Sequence, residues 1–129
     1  MQIGIDLGAT KIEYVLLDNQ NKELTRNRIS TPKDYIETIK SIISIIKDIE
    51  RKNKENLNVG ICHPGATDIT TGLIKNAHNS QWLNEKNIVQ DLKKEIKNNI
   101  YLEMMQIVFV YQNQLMGQLV STTQFLELF

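Results

Sequence analysis

Polar and apolar residues alternate from the start of the chain. In MQIGIDLG, Ile3, Ile5 and Leu7 fall on one side of an extended backbone, which predicts a half-buried strand ending at a Gly turn. KIEYVLLD predicts a second strand. The intervening GATK makes the pair a hairpin with Gly8, Ala9 and Thr10 at its tip. DNQNKE carries turn chemistry and LTRNRIS predicts a weaker third strand, so the chain should open as an antiparallel meander. The period then changes. Across TPKDYIETIKSIISIIKDIERKNKEN, Ile36, Ile39, Ile43, Ile46 and Ile49 recur at helical spacing, with Thr31 as the candidate cap and Pro32 suited to the first turn. Lys47, Arg51, Lys52 and Lys54 gather toward the helix C-terminus, where cations suit the dipole and the face is solvated.

LNVGICHPG predicts a short apolar strand closing on Pro64 and Gly65. GLIKNAHNSQWLN predicts a short strand running into a loop that carries Trp82, which should anchor it by packing. NIVQDLKKEIKNN predicts a second helix with Ile88, Val89, Leu92 and Ile96 on one side, and IYLE begins another buried strand. Three strands, a helix, a strand, a loop, a helix and a strand, without repeats or a low-complexity linker, predict an α/β lobe with a mixed sheet.

At 129 residues the chain has room for one domain with a core. Acidic and basic side chains balance at 15 each, so no net field draws it to nucleic acid or an anionic membrane. No run approaches the roughly 20 apolar residues of a membrane span. The first residues lack a signal-peptide pattern, and the single Cys62 allows no internal disulfide. These features together suggest small-molecule chemistry in the cytoplasm.

An acidic residue at the end of a first strand, followed by Gly and Thr at a hairpin turn, has a physical use. The turn exposes backbone N–H groups to phosphate oxygens, Thr10 adds a hydroxyl, and Asp6 can reach a magnesium ion or its waters. Lys11 is near enough to add charge, although alternation can turn it elsewhere. The alternative is that DLGATK is simply a turn chosen for its backbone angles. Cys62, beside Gly60 on an apolar strand, reads as a small buried hydrophobe rather than a nucleophile. His63 and His78, without a Cys or carboxylate cluster at ligand spacing, do not suggest a zinc site.

IGIDLGATKIE, followed in order by TPKDY, VGICHPG, GLIKNA and WLN, resembles the ROK family of repressors, open reading frames and kinases, and within it the bacterial fructokinase branch. The resemblance runs from Met1 to about Glu103. It implies an actin-like, ribonuclease H-like ATPase fold with two lobes and ATP in the cleft between them. It also implies transfer of the γ-phosphoryl group of MgATP to a hexose hydroxyl, with fructose as the expected sugar and homodimers as the expected assembly. Asp6, Gly8, Ala9, Thr10 and Lys11 match the family's phosphate and magnesium motif, with Ala9 in place of its second Gly. Pro64 and Gly65 match its Pro-Gly turn near the sugar, and Asn76, Asn79 and Ser80 become candidate sugar contacts. His78 is one residue extra in that loop and Glu85 stands where Gly is usual. Two other readings stay open. One is a ROK-type transcriptional regulator, although Ile3 begins the first strand with no helix-turn-helix module before it. The other is a non-enzymatic sugar- or nucleotide-binding domain.

The segment LEMMQIVFVYQNQLMGQLVSTTQFLELF, Leu102 to Phe129, contains no Lys, Arg or Asp and is rich in Gln and Met. In the family the strand matching IYLE runs into Asn-Asp-Ala-Asn, whose Asp is the general base. Here the chain reads MMQI. Glu103 to Ile107 back-translated as GAA ATG ATG CAA ATT and read one base earlier from the last A of the Glu codon gives AAT GAT GCA AAT, which encodes Asn-Asp-Ala-Asn. The sequence therefore suggests a family lobe over 1–103 and an out-of-frame tail over 104–129, with no catalytic base in the chain and no sugar-dependent ATP turnover from it alone. A native strand and helix is the alternative for the tail.

Overall fold

A computed structural model describes residues 1–104. Strands β1 (Gln2–Leu7), β2 (Lys11–Leu17) and β3 (Glu23–Ser30) form the expected antiparallel meander. Helix α1 (Tyr35–Asn53) follows and leads to β4 (Asn58–His63), which lies parallel to β1. A small hairpin of β5 (Ala66–Thr67) and β6 (Ile74–Lys75) comes next, then a 3-10 turn at Gln81–Leu83 and α2 (Ile88–Lys93). Strand β7 (Ile100–Met104) pairs parallel with β4 and completes a mixed five-stranded sheet in the order β3-β2-β1-β4-β7. The expected tail, 104–129, lies outside the described residues except for the backbone of Met104.

Alternation decides which face of the sheet is buried by the helices. Ile3, Ile5, Leu7, Ile12, Leu16, Val59 and Ile61 pack with Ile39, Ile42, Ile46 and Ile49 of α1 and with Ile88 and Leu92 of α2 in one core. Nine of these, including Ile3, Ile5, Ile42 and Ile46, are fully shielded from solvent. Each such side chain contributes about 1.5–3 kcal/mol relative to exposure. β3 forms the outer edge of the sheet. Its side chains are mostly exposed, and Glu23, Arg26 and Arg28 discourage pairing with another chain.

The helix start differs from the sequence expectation. Asp34, not Thr31, caps α1, its carboxylate accepting from the Glu37 N–H at 2.9 Å. Thr31 is taken up by a tertiary contact described below. The apolar stripe is also rotated from the expected one: Ile42 and Ile45 join the buried face, whereas Ile36 stays 62% exposed. Lys54 ends the helix in a left-handed conformation. The β5–β6 hairpin was not expected as a paired unit, because its strands of two residues each are too short for a periodicity signal. Among the described residues, no helix is long and apolar enough to cross a membrane.

Candidate functional site

Two segments meet at one edge of the sheet. β1 and β4 are parallel neighbours with Asp6 opposite Cys62, so the turn after β1 and the turn after β4 leave from adjacent carboxyl ends. β7 ends at the same edge, with Met104 opposite His63. Open α/β sheets gather ligands at such strand ends, where loop backbone and side chains escape the ladder's hydrogen bonding.

The first segment is the hairpin tip. Gly8 N–H donates to Lys11 O at 2.9 Å, and a Cβ added at Gly8 would stand 2.7 Å from that oxygen, so the tight closure requires Gly. Thr31 clamps the tip from β3's end: its N–H donates to Thr10 O at 2.9 Å and its hydroxyl to Gly8 O at 2.8 Å. The carbonyls of Gly8 and Thr10 are thereby occupied. Among the described residues no acceptor meets the N–H of Ala9 or Thr10. Such free amides at a turn suit an anion. Ala9 is not in the left-handed region, so Ala in place of a second Gly costs little. Lys11 points along the sheet, its Nζ 3.3 Å from Ser30 Oγ, rather than over the tip.

Asp6 lies one strand residue before this turn. Its Oδ1 is buried and has no hydrogen-bond partner among the described residues. Burial, and secondarily the charge of Glu13 opposite it on β2, raises the Asp6 pKa above its ordinary value. Glu13 is itself engaged by Arg26 at 3.2 Å. A native fold rarely leaves a buried carboxylate oxygen orphaned, since the lost hydration costs about 1–3 kcal/mol.

The second segment begins at the end of β4. Gly65 has φ +85, and a Cβ there would come within 2.4 Å of Lys75 O and 3.0 Å of Ala77 N. The Pro64–Gly65 turn therefore sits directly on the backbone that carries Asn76. His63, fully buried, braces it through Nδ1 to Pro64 O at 2.7 Å and Nε2 to Thr67 Oγ1 at 2.9 Å. Burial lowers the His63 pKa, partly opposed by its bond to Pro64. Beyond β6, Asn76 takes a left-handed φ of 57, Asn84 Oδ1 accepts from the Ala77 N–H at 2.9 Å, and Trp82 packs on the core. Asn76 and Asn79 are exposed, whereas Ser80 is buried with an Oγ that has no partner among the described residues.

The structure thus brings Asp6, Gly8, Ala9 and Thr10 together at one turn and Pro64, Gly65 and Asn76 together at another, with Asn79 and Ser80 on the same loop as Asn76. Lys11 is directed elsewhere. Sequence reasoning missed Thr31, His63, Thr67 and Asn84 as supports. Thr31, His63 and Asn84 had a signal in their places in TPKDY, VGICHPG and WLN, but that signal did not reveal the tertiary contacts through which they and Thr67 act. The departure at Glu85 also acquires a physical meaning. Its φ is 64, a conformation that costs a non-Gly side chain about 1–2 kcal/mol. Glu85→Gly should therefore raise the stability of the chain by up to about 1 kcal/mol, the gain being trimmed by the greater freedom of Gly in the unfolded chain. A urea midpoint that fell instead would mean that the Lys75–Glu85 ion pair outweighs the strain.

No metal-ligand group of three or more His, Cys, Asp or Glu side chains occurs among the described residues. Asp6 is the one group at the tip suited to a hard cation, and it would meet that cation singly, with waters or phosphate oxygens completing the shell.

Comparison with known proteins gives this arrangement a context. The family model described as "ROK family" matches residues 2–110. The N-acetyl-D-glucosamine kinase of Haemophilus influenzae (strain 86-028NP) is 31% identical over 104 residues, covering 80% of this chain and 34% of that protein. The enzyme of the same name from Pasteurella multocida (strain Pm70) is 28% identical over the same length and coverage. The chain thus spans about a third of the length of the curated relatives it matches. Among solved structures, the ROK hexokinase from Thermus thermophilus superposes with TM-score 0.71 at 23% identity, covering 83% of this chain and 36% of that one. A ROK family glucokinase from Streptomyces griseus, in complex with glucose and AMPPNP, gives 0.72 at 19% identity, covering 85% and 35%. At these identities the superpositions speak for the fold alone, that of an actin-like ATPase. With the family model spanning most of its length and the same mixed sheet beneath it, this chain belongs to the ROK family.

Proposed function

We propose that residues 1–103 form the part of an ATP-dependent hexose kinase that receives nucleotide phosphates at the Gly8–Lys11 tip and the sugar at the Pro64–Gly65 turn and the Asn76–Ser80 loop. The observation that carries this reading is the meeting of two under-bonded turns at the carboxyl ends of adjacent parallel strands. The residues fit the groups the reaction needs. The free N–H groups of Ala9 and Thr10 would take phosphate oxygens, and Thr10 would add its hydroxyl. Asp6, with its orphaned Oδ1, would hold Mg through the ion's waters, and a bound cation would offset the burial and the Glu13 charge that raise its pKa. Bound magnesium would supply charge neutralisation at the phosphates. On the sugar side, Asn76 and Asn79 offer exposed amides and Ser80 a buried hydroxyl in want of a partner. Lys11 would contribute only long-range charge from its place beside Ser30.

The motifs resemble the fructokinase branch, while the relatives above are named for N-acetyl-D-glucosamine. We take the second as the better guide, because those alignments cover 80% of the chain rather than five short motifs. Calorimetric titration of the chain with N-acetyl-D-glucosamine, glucose and fructose tests this. N-acetyl-D-glucosamine is expected to bind most tightly. Fructose binding tighter than both aldohexoses would reverse the assignment, and heat from none of the three would sink the sugar-binding reading.

For Met104 to Phe129 the proposed origin is a one-base shift in reading frame. Genomic sequence across the Glu103 codon decides it: an open overlapping frame encoding Asn-Asp-Ala-Asn is expected, and a codon set incompatible with that string ends the idea.

A further inference from the structure

The Pro64–Gly65 peptide unit has two polar ends with different fates. The Pro64 carbonyl lies 2.7 Å from His63 Nδ1, and because a carbonyl can only accept, Nδ1 must carry the proton. In the neutral ring Nε2 is then bare and accepts from the Thr67 hydroxyl at 2.9 Å. Both ring nitrogens are satisfied by one tautomer, inside a site where His63 is wholly shielded from water. The other end of the same peptide is the Gly65 N–H. Among the described residues it meets no acceptor. In a planar trans peptide the C=O and N–H point in opposite directions, so fixing the carbonyl toward the buried ring fixes the N–H away from it. The turn is closely seated as well: a Cβ added at Gly65 would run into the Lys75 carbonyl and lie 3.0 Å from Ala77 N, so only a glycine fits against that backbone.

We propose that His63 is a positioning residue that aims the Gly65 N–H as a hydrogen-bond donor to a hydroxyl of the bound hexose. The inference rests on the sugar-binding reading above and adds to it both the donor and the group that orients it. Thr67, paired with Ile74 across the β5–β6 hairpin, is the outer brace that holds the ring in this tautomer. The role needs no proton transfer. It needs a donor at the Nδ1 position and a ring that does not rotate.

The test uses the full chain labelled with nitrogen-15. In the unliganded protein His63 should show the Nδ1–H tautomer, the reverse of the preference of free imidazole; an Nε2–H signature overturns the proposal. On titration with N-acetyl-D-glucosamine, the Gly65 amide proton should move downfield together with the amides of Asn76 and Ser80. His63→Leu should weaken sugar binding about tenfold, the scale of one hydrogen bond of about 1.4 kcal/mol. His63→Asn, which keeps a donor near the Nδ1 position, should stay within about threefold of the parent. Sugar shifts at Asn76 and Ser80 with a silent Gly65 amide, or equal binding by His63→Leu, would overturn the proposal and leave the sugar-binding reading intact. A parent chain that shows no sugar shifts at any of these residues defeats that reading instead. Should His63→Leu fail to fold, the tautomer and the Gly65 response of the parent chain decide.

Discussion

Gly65→Ala is expected to destabilise the chain by roughly 2–4 kcal/mol, among the largest effects of any single methyl addition here. Two costs combine. A left-handed φ of 85 penalises any side chain by about 1–2 kcal/mol, and the new Cβ would lie 2.4 Å from the Lys75 carbonyl and within 3.1 Å of the Ala77 backbone. Those atoms belong to β6 and its following loop, so relief requires moving the segment that presents Asn76. Gly72 supplies the control. It also has a left-handed φ, of 73, but the nearest obstacle is the Asn87 side-chain amide at 2.7 Å, a side-chain tip that yields more easily than backbone although it also caps α2 through the Gln90 N–H. Gly72→Ala should therefore lose the backbone cost of about 1–2 kcal/mol and at most a fraction of the Asn87 cap, worth about 1 kcal/mol. Urea unfolding of the two variants separates the cases. Equal losses would mean that the contact between the Pro-Gly turn and the β6 loop is not the rigid feature described.

Asp6→Asn should act in opposite directions on stability and on nucleotide binding. In the folded chain burial and Glu13 raise the Asp6 pKa, so at neutral pH the ionised carboxylate works against the fold. The sign follows from linkage. A carboxyl with a folded pKa above its unfolded value binds its proton more readily in the native state, so the penalty is fully present at neutral pH. It fades as pH falls through the raised folded value toward the ordinary one. Asp6→Asn should thus be the more stable protein at pH 7, and its advantage should shrink on acidification. The same variant should lose the magnesium-dependent part of ATP binding, because an amide oxygen lacks the charge a hard cation requires. A variant less stable than the parent at pH 7 would show that Asp6 is a structural carboxylate. Retention of magnesium-dependent binding would remove it from the nucleotide site.

The meander, the α1 and β4 segments and the class of the sheet were legible because each rests on local periodicity: Ile3, Ile5 and Leu7 at a spacing of two, and the isoleucines of α1 at helical spacing. The precise face of α1 was less so. With seven isoleucines and Thr38 in one helix, a stripe containing Ile36 and a stripe containing Ile42 both satisfy the pattern, and only packing in the core beneath the sheet selects the second. Thr31 shows the same limit in reverse. Thr-Pro is a sound helix start by local rules, yet Asp34 takes the cap because Thr31 is held by two bonds to the hairpin tip 21 to 23 residues earlier in the chain.

At the candidate site, the turn residues were readable and their supports were not. Gly8 and Gly65 announce themselves as glycines in turn contexts, and the structure supplies close backbone approaches at both. Family resemblance marked Ala9 and Glu85 alike as departures. Backbone geometry separates them: Ala9 keeps an ordinary φ, and Glu85 occupies a position that favours Gly. His63 was weighed only as a metal ligand, since its two bonds lie within four residues of itself but depend on a turn whose shape the sequence does not reveal.

The most direct test of the central claim, that one edge of this lobe carries a phosphate turn beside a sugar turn, is a backbone amide NMR titration of the full chain with MgATP and, separately, with N-acetyl-D-glucosamine. MgATP should perturb Ala9 and Thr10 and leave the Asn76–Ser80 loop nearly unchanged, while the sugar should perturb Gly65, Asn76, Asn79 and Ser80 and spare the tip. Perturbations centred elsewhere, or amides at both turns that ignore both ligands at millimolar concentration, would contradict the account.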